Sequence, residues 1–365
     1  MPPPRFPHRR PAHHRLLPVP SRARPGAHVD RPASRRLPDR PAGAALSPSL
    51  PAKAKAAARR WLPWVATVAL FAWLLHRVPL AEVRAAMQQG PYLLLAAYVL
   101  LEYAVTLPAD TFATRQALAL VGIRRDFREL FVARGATYLL GLLSYFASLG
   151  GIGFWVAKGG VRASRATGAV LLMMVSNGLA VLLIAACALL ADLPPDRRDL
   201  FLLLVVGAFA GTAAYLGILT ARWPWLTRRA FLAPLFEAGV AGHLKAVAAR
   251  VPHMLLLAML HWGAFRVWGI GVPFFQGIVL TEAVLLITAL PVTPSGLGTT
   301  QVLQVLFFSA WAHGATPEER AADVLAFSLA HWALSLAWQA ALGAGFLAWL
   351  RRLDSTEPAE AEAGG

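Results

Sequence analysis

Long apolar segments alternate with short polar connections between residues 61 and 350. A helix that crosses a bilayer needs about 20 mostly apolar residues. The candidate segments are residues 61–78, 91–112, 136–155, 166–191, 200–220, 252–270, 274–290, 300–312 and 321–350. The third and the eighth fit a full crossing least well, and residues 230–250 predict an amphipathic helix at the cytoplasmic interface. The pattern predicts an all-α polytopic integral membrane protein of about eight membrane segments, two of them re-entrant or broken.

A helix-breaking run separates two of these apolar segments, with the sequence Leu290-Pro-Val-Thr-Pro-Ser-Gly-Leu-Gly-Thr-Thr-Gln301. Proline removes a hydrogen-bond donor and glycine lowers helix propensity, so the run cannot continue either helix. Irregular backbone at membrane depth persists only where it is buried in protein or lines a polar cavity. The run therefore predicts a broken helix of the kind that forms binding sites in transporters.

The composition excludes an ordinary soluble domain, because 57% of the residues are hydrophobic, only 15% are charged and the mean hydropathy is +0.53. Cys187 is the only cysteine, so neither a disulfide framework nor a thiolate metal site is expected.

The formal charge of +16 comes largely from the first 60 residues. Residues 1–60 predict a disordered basic tail, residues 61–350 the membrane domain, and residues 351–365 a short acidic cytoplasmic tail. The basic tail has no apolar core of a signal peptide. Attraction to anionic lipid headgroups, a tail without a specific role and a misassigned start site all stay open, and no nucleic-acid partner is expected.

Basic residues also predict the topology. Arg59 and Arg60 precede the first segment, which places the N-terminus in the cytoplasm of a cell whose plasma (inner) membrane the chain spans. If residues 136–155 crossed fully, Lys158 and the basic residues that follow it would lie outside. A re-entrant hairpin with its turn at Ser148-Leu-Gly-Gly-Ile-Gly153 keeps them inside, together with the C-terminus. Alternatively, these glycines allow close helix packing, but the charge bias favours the hairpin.

The order of the segments and the run from Leu290 to Gln301 resemble the flippase-like membrane region of lysylphosphatidylglycerol synthases, over roughly residues 60–350. The family form is close to Pro-x-x-Pro-Gly-Gly-x-Gly followed by Glu, whereas this chain has Ser295 and Gln301 at two of those positions. Ser148-Leu-Gly-Gly-Ile-Gly stands where the family more often has Pro-Gly-Arg-x-Gly-Glu. The resemblance implies a stand-alone flippase-like domain. No soluble aminoacyltransferase domain follows residue 350, so synthase activity is not expected.

Polar residues within the apolar segments indicate a cavity for a lipid headgroup, because each ionised group at the bilayer centre costs about 2.5–3.5 kcal/mol. Glu102, Thr106 and Asp110 form one helical stripe by their spacing. The candidate cavity residues are Glu102, Asp110, Arg134, Glu282, Pro294, Ser295, Gly296, Gly298 and Gln301. Pairing between helices is the alternative. Pairing is the favoured interpretation for a second helical stripe that begins at His331. For Glu102 and Glu282, both the cavity and the pairing interpretations stay open.

The chain lacks the phosphate-binding P-loop, the His-Glu-x-x-His pattern and the nucleophile elbow, so no catalytic residue, metal or cofactor is expected. We therefore expect a transporter or flippase for a lipid or lipid-linked substrate, energised by a gradient or facilitated. The alternative is a membrane enzyme or accessory subunit of envelope lipid or glycoconjugate synthesis, with arginines of the loop from Arg115 to Arg134 holding a pyrophosphate. The expected partners are membrane lipids, with a homo-oligomer or an envelope-synthesis protein as further candidates.

Overall fold

The computed structural model describes residues 50–190, 195–288, 293 and 296–363, and every regular element in these ranges is a helix. The all-α prediction is therefore confirmed. The first seven helices are α1 (Leu50–Arg77), α2 (Leu80–Gln88), α3 (Tyr92–Leu120), α4 (Phe127–Ala136), α5 (Tyr138–Gly141), α6 (Tyr145–Lys158) and α7 (Ala163–Ala186). The remaining six are α8 (Pro195–Ala221), α9 (Pro224–Thr227), α10 (Ala233–Trp268), α11 (Phe274–Thr288), α12 (Thr299–Phe308) and α13 (Pro317–Ala363). Short 3-10 turns extend α7 (Cys187–Leu190) and α12 (Ser309–Trp311).

Within the described ranges, five helical segments are long and apolar enough to cross a membrane, so the chain is a multi-pass membrane protein. They are Tyr92–Leu120, Ala163–Leu190, Phe201–Ala221, Ala233–Trp268 and Pro317–Leu353. Trp64–Arg77 and Leu80–Gln88, bent by 89°, make a sixth if they form one broken span. The bend falls at Pro79, because a proline drives the residue before it out of the helical region. The predicted total of about eight membrane segments, two of them re-entrant or broken, remains a prediction.

Residues 230–250, predicted as an interfacial helix, do not form an element separate from the span that follows them. α10 changes direction once, at Gly239 (φ 59°), and then continues as one helix to Trp268. His243, Val247 and Arg250 are buried in it. His243 and Arg250 thus lie on a face that packs into the protein against α3 and α7, while Glu237 and Lys245 on the opposite face are exposed.

Aromatic packing ties three helices into the core. The ring of Phe265 on α10 lies with its centroid 4.5 Å from those of Phe308 on α12 and Phe327 on α13. All three side chains are fully buried. The short helix α12 is thus held inside the bundle.

Helices α4, α5 and α6 form a hairpin over residues 127–158, called the first hairpin below. Its turn lies at residues 142–144, where Ser144 caps α6 by accepting a hydrogen bond from Ala147 N at 3.1 Å. α6 has 14 residues and is about 21 Å long, which is less than the hydrocarbon thickness of about 30 Å. Residues 136–155 therefore do not form one continuous crossing helix.

The glycines of residues 148–153 do not form the turn, contrary to the prediction, but lie inside α6. A Cβ atom on Gly151 would lie 2.5 Å from Leu140 Cδ1, and one on Gly153 would lie 2.8 Å from Val170 Cγ2. The alternative interpretation is the correct one, because small residues here let α6 approach α5 and α7 closely.

Helices α11 and α12 form the second hairpin, residues 274–308. Its base is closed by Gly271 N, which donates to Trp311 O at 3.0 Å. The connection between the two arms has described residues only at 293 and 296–298, and Gly296 (φ 70°) and Gly298 (φ 87°) take left-handed backbone there. The helix break that the sequence predicted lies at this connection.

Candidate functional site

The two hairpins enter the helical bundle from opposite ends. The base of the first lies beside the end of α3, where Arg125 Nη2 donates to Gly159 O at 2.7 Å and Arg165 Nε donates to Val121 O at 2.9 Å. The base of the second lies beside the start of α3, because Trp268, at the end of α10, packs with its ring centroid 5.8 Å from that of Tyr92. The tips therefore point toward each other inside the protein.

Both tips line one cavity of about 510 Å³. Ser144 and Ser148 come from the first hairpin, and Thr293, Gly296 and Thr300 come from the second. The volume is within the range of small-molecule sites, about 300–1,000 Å³.

Asp110 lies between two arginines in the wall of this cavity. Arg134 Nε on α4 donates to Asp110 Oδ2 at 2.5 Å, and Arg250 Nη1 on α10 donates to Asp110 Oδ1. The three side chains are 9%, 7% and 2% exposed, in the order Asp110, Arg134 and Arg250. Since arginine keeps its charge in proteins, two cations face one carboxylate here, and the cluster is net positive.

Hydroxyl groups fix Arg134 in place. Its Nη1 donates to Thr137 Oγ1 at 2.8 Å and to Ser148 Oγ at 2.6 Å, so that the guanidinium joins α3 to both arms of the first hairpin. Arg250 is less fully bonded. Its Nη2 reaches Thr114 Oγ1 at 3.4 Å, and among the described residues its Nε has no hydrogen-bond partner. Arg250, which also lines the cavity, is thus less fully satisfied by the described residues than Arg134.

Two helix N-termini add to the positive field. Tyr145 and Phe146, in the first turn of α6, line the cavity, as do Gly296 and Thr300 at the start of α12. The first turn of a helix carries N–H groups without intrahelical partners and a partial positive charge. Two such termini beside two arginines suit an anion such as a phosphate or carboxylate.

Most of the remaining cavity wall is apolar, although Asn177, Ser335 and Gln339 also line it, and the cavity reaches the molecular surface. Its wall includes Leu257, Leu286 and Trp332, and Tyr145 and Phe146 at its edge are 43% and 40% exposed. The cavity thus combines a charged cluster with apolar wall residues.

Three of the residues predicted for the cavity line it, namely Asp110, Arg134 and Gly296. Four others do not belong to its described lining, and these are Glu102, Glu282, Gly298 and Gln301. The predicted residues Pro294 and Ser295 lie outside the described residues.

Each of those four has other surroundings. Glu102 Oε2 accepts a hydrogen bond from His331 Nε2 at 3.0 Å. Gln301 Oε1 accepts from Gly298 N at 2.6 Å and so caps α12. Glu282 is fully buried on α11, and neither carboxylate oxygen has a hydrogen-bond partner among the described residues.

Arg250 and His253 are the charged and titratable cavity residues that the sequence analysis missed. The sequence analysis places Arg250 in the predicted interfacial helix of residues 230–250, outside the candidate span of residues 252–270. The available signal was the apolar sequence on both sides of Arg250, at Ala246, Val247 and Val251, which is typical of a helix that continues through Pro252.

The fold and the site define a polytopic α-helical membrane protein with a buried, net positive cavity. A sequence model of the family described as lysylphosphatidylglycerol synthase TM region matches residues 60–338, so the chain belongs to this family. The resemblance found in the sequence is thereby confirmed, and the domain has a lipid-related function. No curated protein and no solved structure matched the chain.

Proposed function

We propose that this protein moves an anionic lipid, or a substrate linked to a lipid, between the leaflets of the inner membrane. The headgroup enters the cavity between the two hairpin tips, and the acyl or prenyl chains leave through the apolar side. The observation that carries the proposal is the cluster of Asp110, Arg134 and Arg250 in the cavity wall.

The cost of burying this cluster supports a functional role. Charged residues at membrane depth are unfavourable by about 2.5–3.5 kcal/mol each on the mildest scale, and they mark substrate pathways. A guanidinium group offers paired donors that match the oxygens of a phosphate, which makes arginine suited to this headgroup.

Asp110 gives the site a means of release. A headgroup that binds Arg134 and Arg250 competes with a carboxylate that already holds both. Binding is therefore weaker than two free arginines would give, and the carboxylate takes its partners back when the headgroup leaves. Transport needs such a balance between entry and exit.

The opposed hairpins support access from either side. Discontinuous segments that meet near the membrane centre are typical of transporters that alternate between two open states. The end of the bundle at the base of the first hairpin carries Arg124, Arg125, Arg128 and Arg162, and we assign it to the cytoplasm by the positive-inside rule.

A membrane enzyme or accessory subunit for lipid-linked substrates is the second candidate. His253 lines the cavity with its Nδ1 3.5 Å from Arg250 Nη1, so a titratable group lies beside the proposed phosphate site. In this alternative the two arginines hold a pyrophosphate and His253 exchanges a proton with it.

Leaflet exchange in liposomes tests the proposal. The purified protein is reconstituted with fluorescent phosphatidylglycerol or fluorescent phosphatidylcholine, and an impermeant quencher reports how fast lipid moves from the inner leaflet. We expect faster exchange of the anionic lipid than in protein-free liposomes. Arg250→Gln is expected to slow this exchange about tenfold, since a hydrogen bond to a charged group contributes about 1.5–3 kcal/mol.

Arg266→Gln is the matched control, because Arg266 lies on the same helix, is exposed and is outside the described cavity lining. It should exchange lipid at the wild-type rate. Equal losses in both variants, or no exchange above that of protein-free liposomes, would contradict the proposal. Formation of a modified lipid without leaflet exchange would favour the enzyme instead.

A further inference from the structure

A second polar cluster lies where α3, α10, α12 and α13 meet, outside the described cavity lining. It consists of Glu102, His261, His331 and Gln304. His331 Nε2 donates to Glu102 Oε2 at 3.0 Å, and Gln304 Nε2 donates to His261 Nε2 at 3.0 Å. The two imidazole rings meet edge to face with their centroids 4.7 Å apart. Four helices thus each contribute one polar side chain to a single point.

These contacts do not satisfy the cluster. Glu102 Oε1 and Gln304 Oε1 are buried and have no hydrogen-bond partner among the described residues. A buried acceptor that lacks a donor costs about 1–3 kcal/mol. Both atoms are oxygens of types that coordinate metal ions, and they lie beside two imidazoles, which are common ligands of transition metals.

We propose that this cluster binds a divalent transition metal ion, zinc in the first instance. His261, His331 and Glu102 each supply one ligand, and Gln304 Oε1 or a water molecule completes the coordination. One donor atom from each of the three residues lies within 4.8 Å of the other two.

The spacing suits zinc. Zinc ligands bind at about 2.0–2.2 Å in a tetrahedron, so that neighbouring donor atoms lie about 3.4 Å apart. His331 and Glu102 are already that close, at 3.0 Å. The remaining donor atoms lie within 4.8 Å of one another, so the set has to close by up to about 1.4 Å to reach the tetrahedral spacing.

Aromatic side chains surround the site. The His261 ring lies with its centroid 5.1 Å from that of Phe265 and 5.9 Å from that of Phe327. With Gln304 as the fourth ligand, a bound ion would be shielded from water and would join α12 of the second hairpin to three long helices. It therefore serves to fix the second hairpin, and it does so whether or not the cavity transports a lipid.

Metal content of the full chain tests this inference. The protein is purified in detergent with an affinity tag that contains no histidine, incubated with zinc chloride, separated from free zinc and analysed by inductively coupled plasma mass spectrometry. We expect about one zinc per chain, the number that a single mononuclear site holds. Glu102→Gln and His331→Asn should lose this zinc, whereas His331→Cys should keep it, since a thiolate is also a zinc ligand.

His243→Asn is the matched control. His243 is buried on the same helix as His261, but it bonds to Tyr215 and to the backbone of Gly239. His243→Asn should retain the zinc of the wild type. Zinc bound by the histidines of the tail, His8, His13, His14 and His28, would instead persist in Glu102→Gln and His331→Asn.

Thermal unfolding provides a second readout in the same samples. Zinc should raise the unfolding temperature of the wild type, of His243→Asn and of His331→Cys, and a chelator should reverse the rise. Glu102→Gln and His331→Asn should not respond. A wild type without zinc and without a thermal shift would overturn the inference. Zinc content in Glu102→Gln and His331→Asn equal to that of the wild type would overturn it as well.

Discussion

At the scale of single residues, two buried carboxylates show how surroundings decide a role. Asp110 is held by two arginines, whereas Glu282 has no hydrogen-bond partner among the described residues. Both are almost fully buried. Removing the charge should therefore have opposite effects on stability at the two positions.

Asp110→Asn should destabilise the protein by about 3–5 kcal/mol, because it leaves two buried guanidinium groups without their anion. The measurement is thermal unfolding in detergent. The double variant Asp110→Asn/Arg250→Gln should recover part of this loss, since the second change removes one uncompensated charge. If the two losses simply add, the cluster does not act as a unit.

Glu282→Leu should leave the stability unchanged or raise it by up to about 1–3 kcal/mol, because the replacement removes a buried acceptor without a partner at similar volume. Glu102→Leu is the contrasting variant and should lower the stability, since His331 loses its hydrogen-bond acceptor. Both are compared with the wild type by thermal unfolding. A marked loss of stability in Glu282→Leu would show that this carboxylate has a partner in the folded protein.

At the scale of elements, the second hairpin depends on glycine at its connection. Gly298 has φ 87°, and a Cβ atom there would lie 3.3 Å from Leu70 Cβ on α1. Left-handed backbone disfavours any residue with a Cβ atom. The tip of the hairpin is therefore held against α1 by both backbone conformation and close contact.

Gly298→Ala should cost about 1–3 kcal/mol of stability, which is the range for strained backbone. Gly207→Ala is the control, because Gly207 lies inside α8 with no described atom within 4 Å of an added Cβ. That change should be neutral or stabilising by up to about 1 kcal/mol. The comparison uses unfolding temperatures, and equal effects at the two positions would remove the special role of Gly298.

At the scale of the whole molecule, the opposed hairpins and the charge distribution predict a topology. Six crossings, counting the bent pair α1 and α2 as one, bring both termini to the same side when each hairpin returns to the side from which it enters. The basic end of the bundle then faces the cytoplasm.

Cysteine labelling in whole cells measures this topology. In a Cys187→Ala background, single cysteines at Lys158 and Arg228 should be protected from an impermeant thiol reagent until the membrane is opened. A cysteine at Arg198, in the first turn of α8, should react from outside. Labelling at Lys158 from outside would mean that residues 127–158 cross the membrane.

The sequence by itself determined the class of this protein and the place of its helix break. The length of the apolar segments and the charge bias act through transfer of each segment to the bilayer. The prolines and glycines after Leu290 act through backbone propensity. Both effects are local, so they can be recognised without knowing the fold. The same local rules misplaced the turn of the first hairpin, because a glycine can serve a turn or a close packing contact equally well.

Only the tertiary structure decided which polar residues meet. Glu102 and Asp110 share one helical stripe, yet Glu102 joins a histidine on α13, while Asp110 joins Arg250, which is 140 positions away in the chain. Contacts over such separations depend on how whole helices pack, and no local pattern specifies them. For the same reason, three residues as distant in sequence as Glu102, His261 and His331 form a candidate metal site only once the helices are assembled.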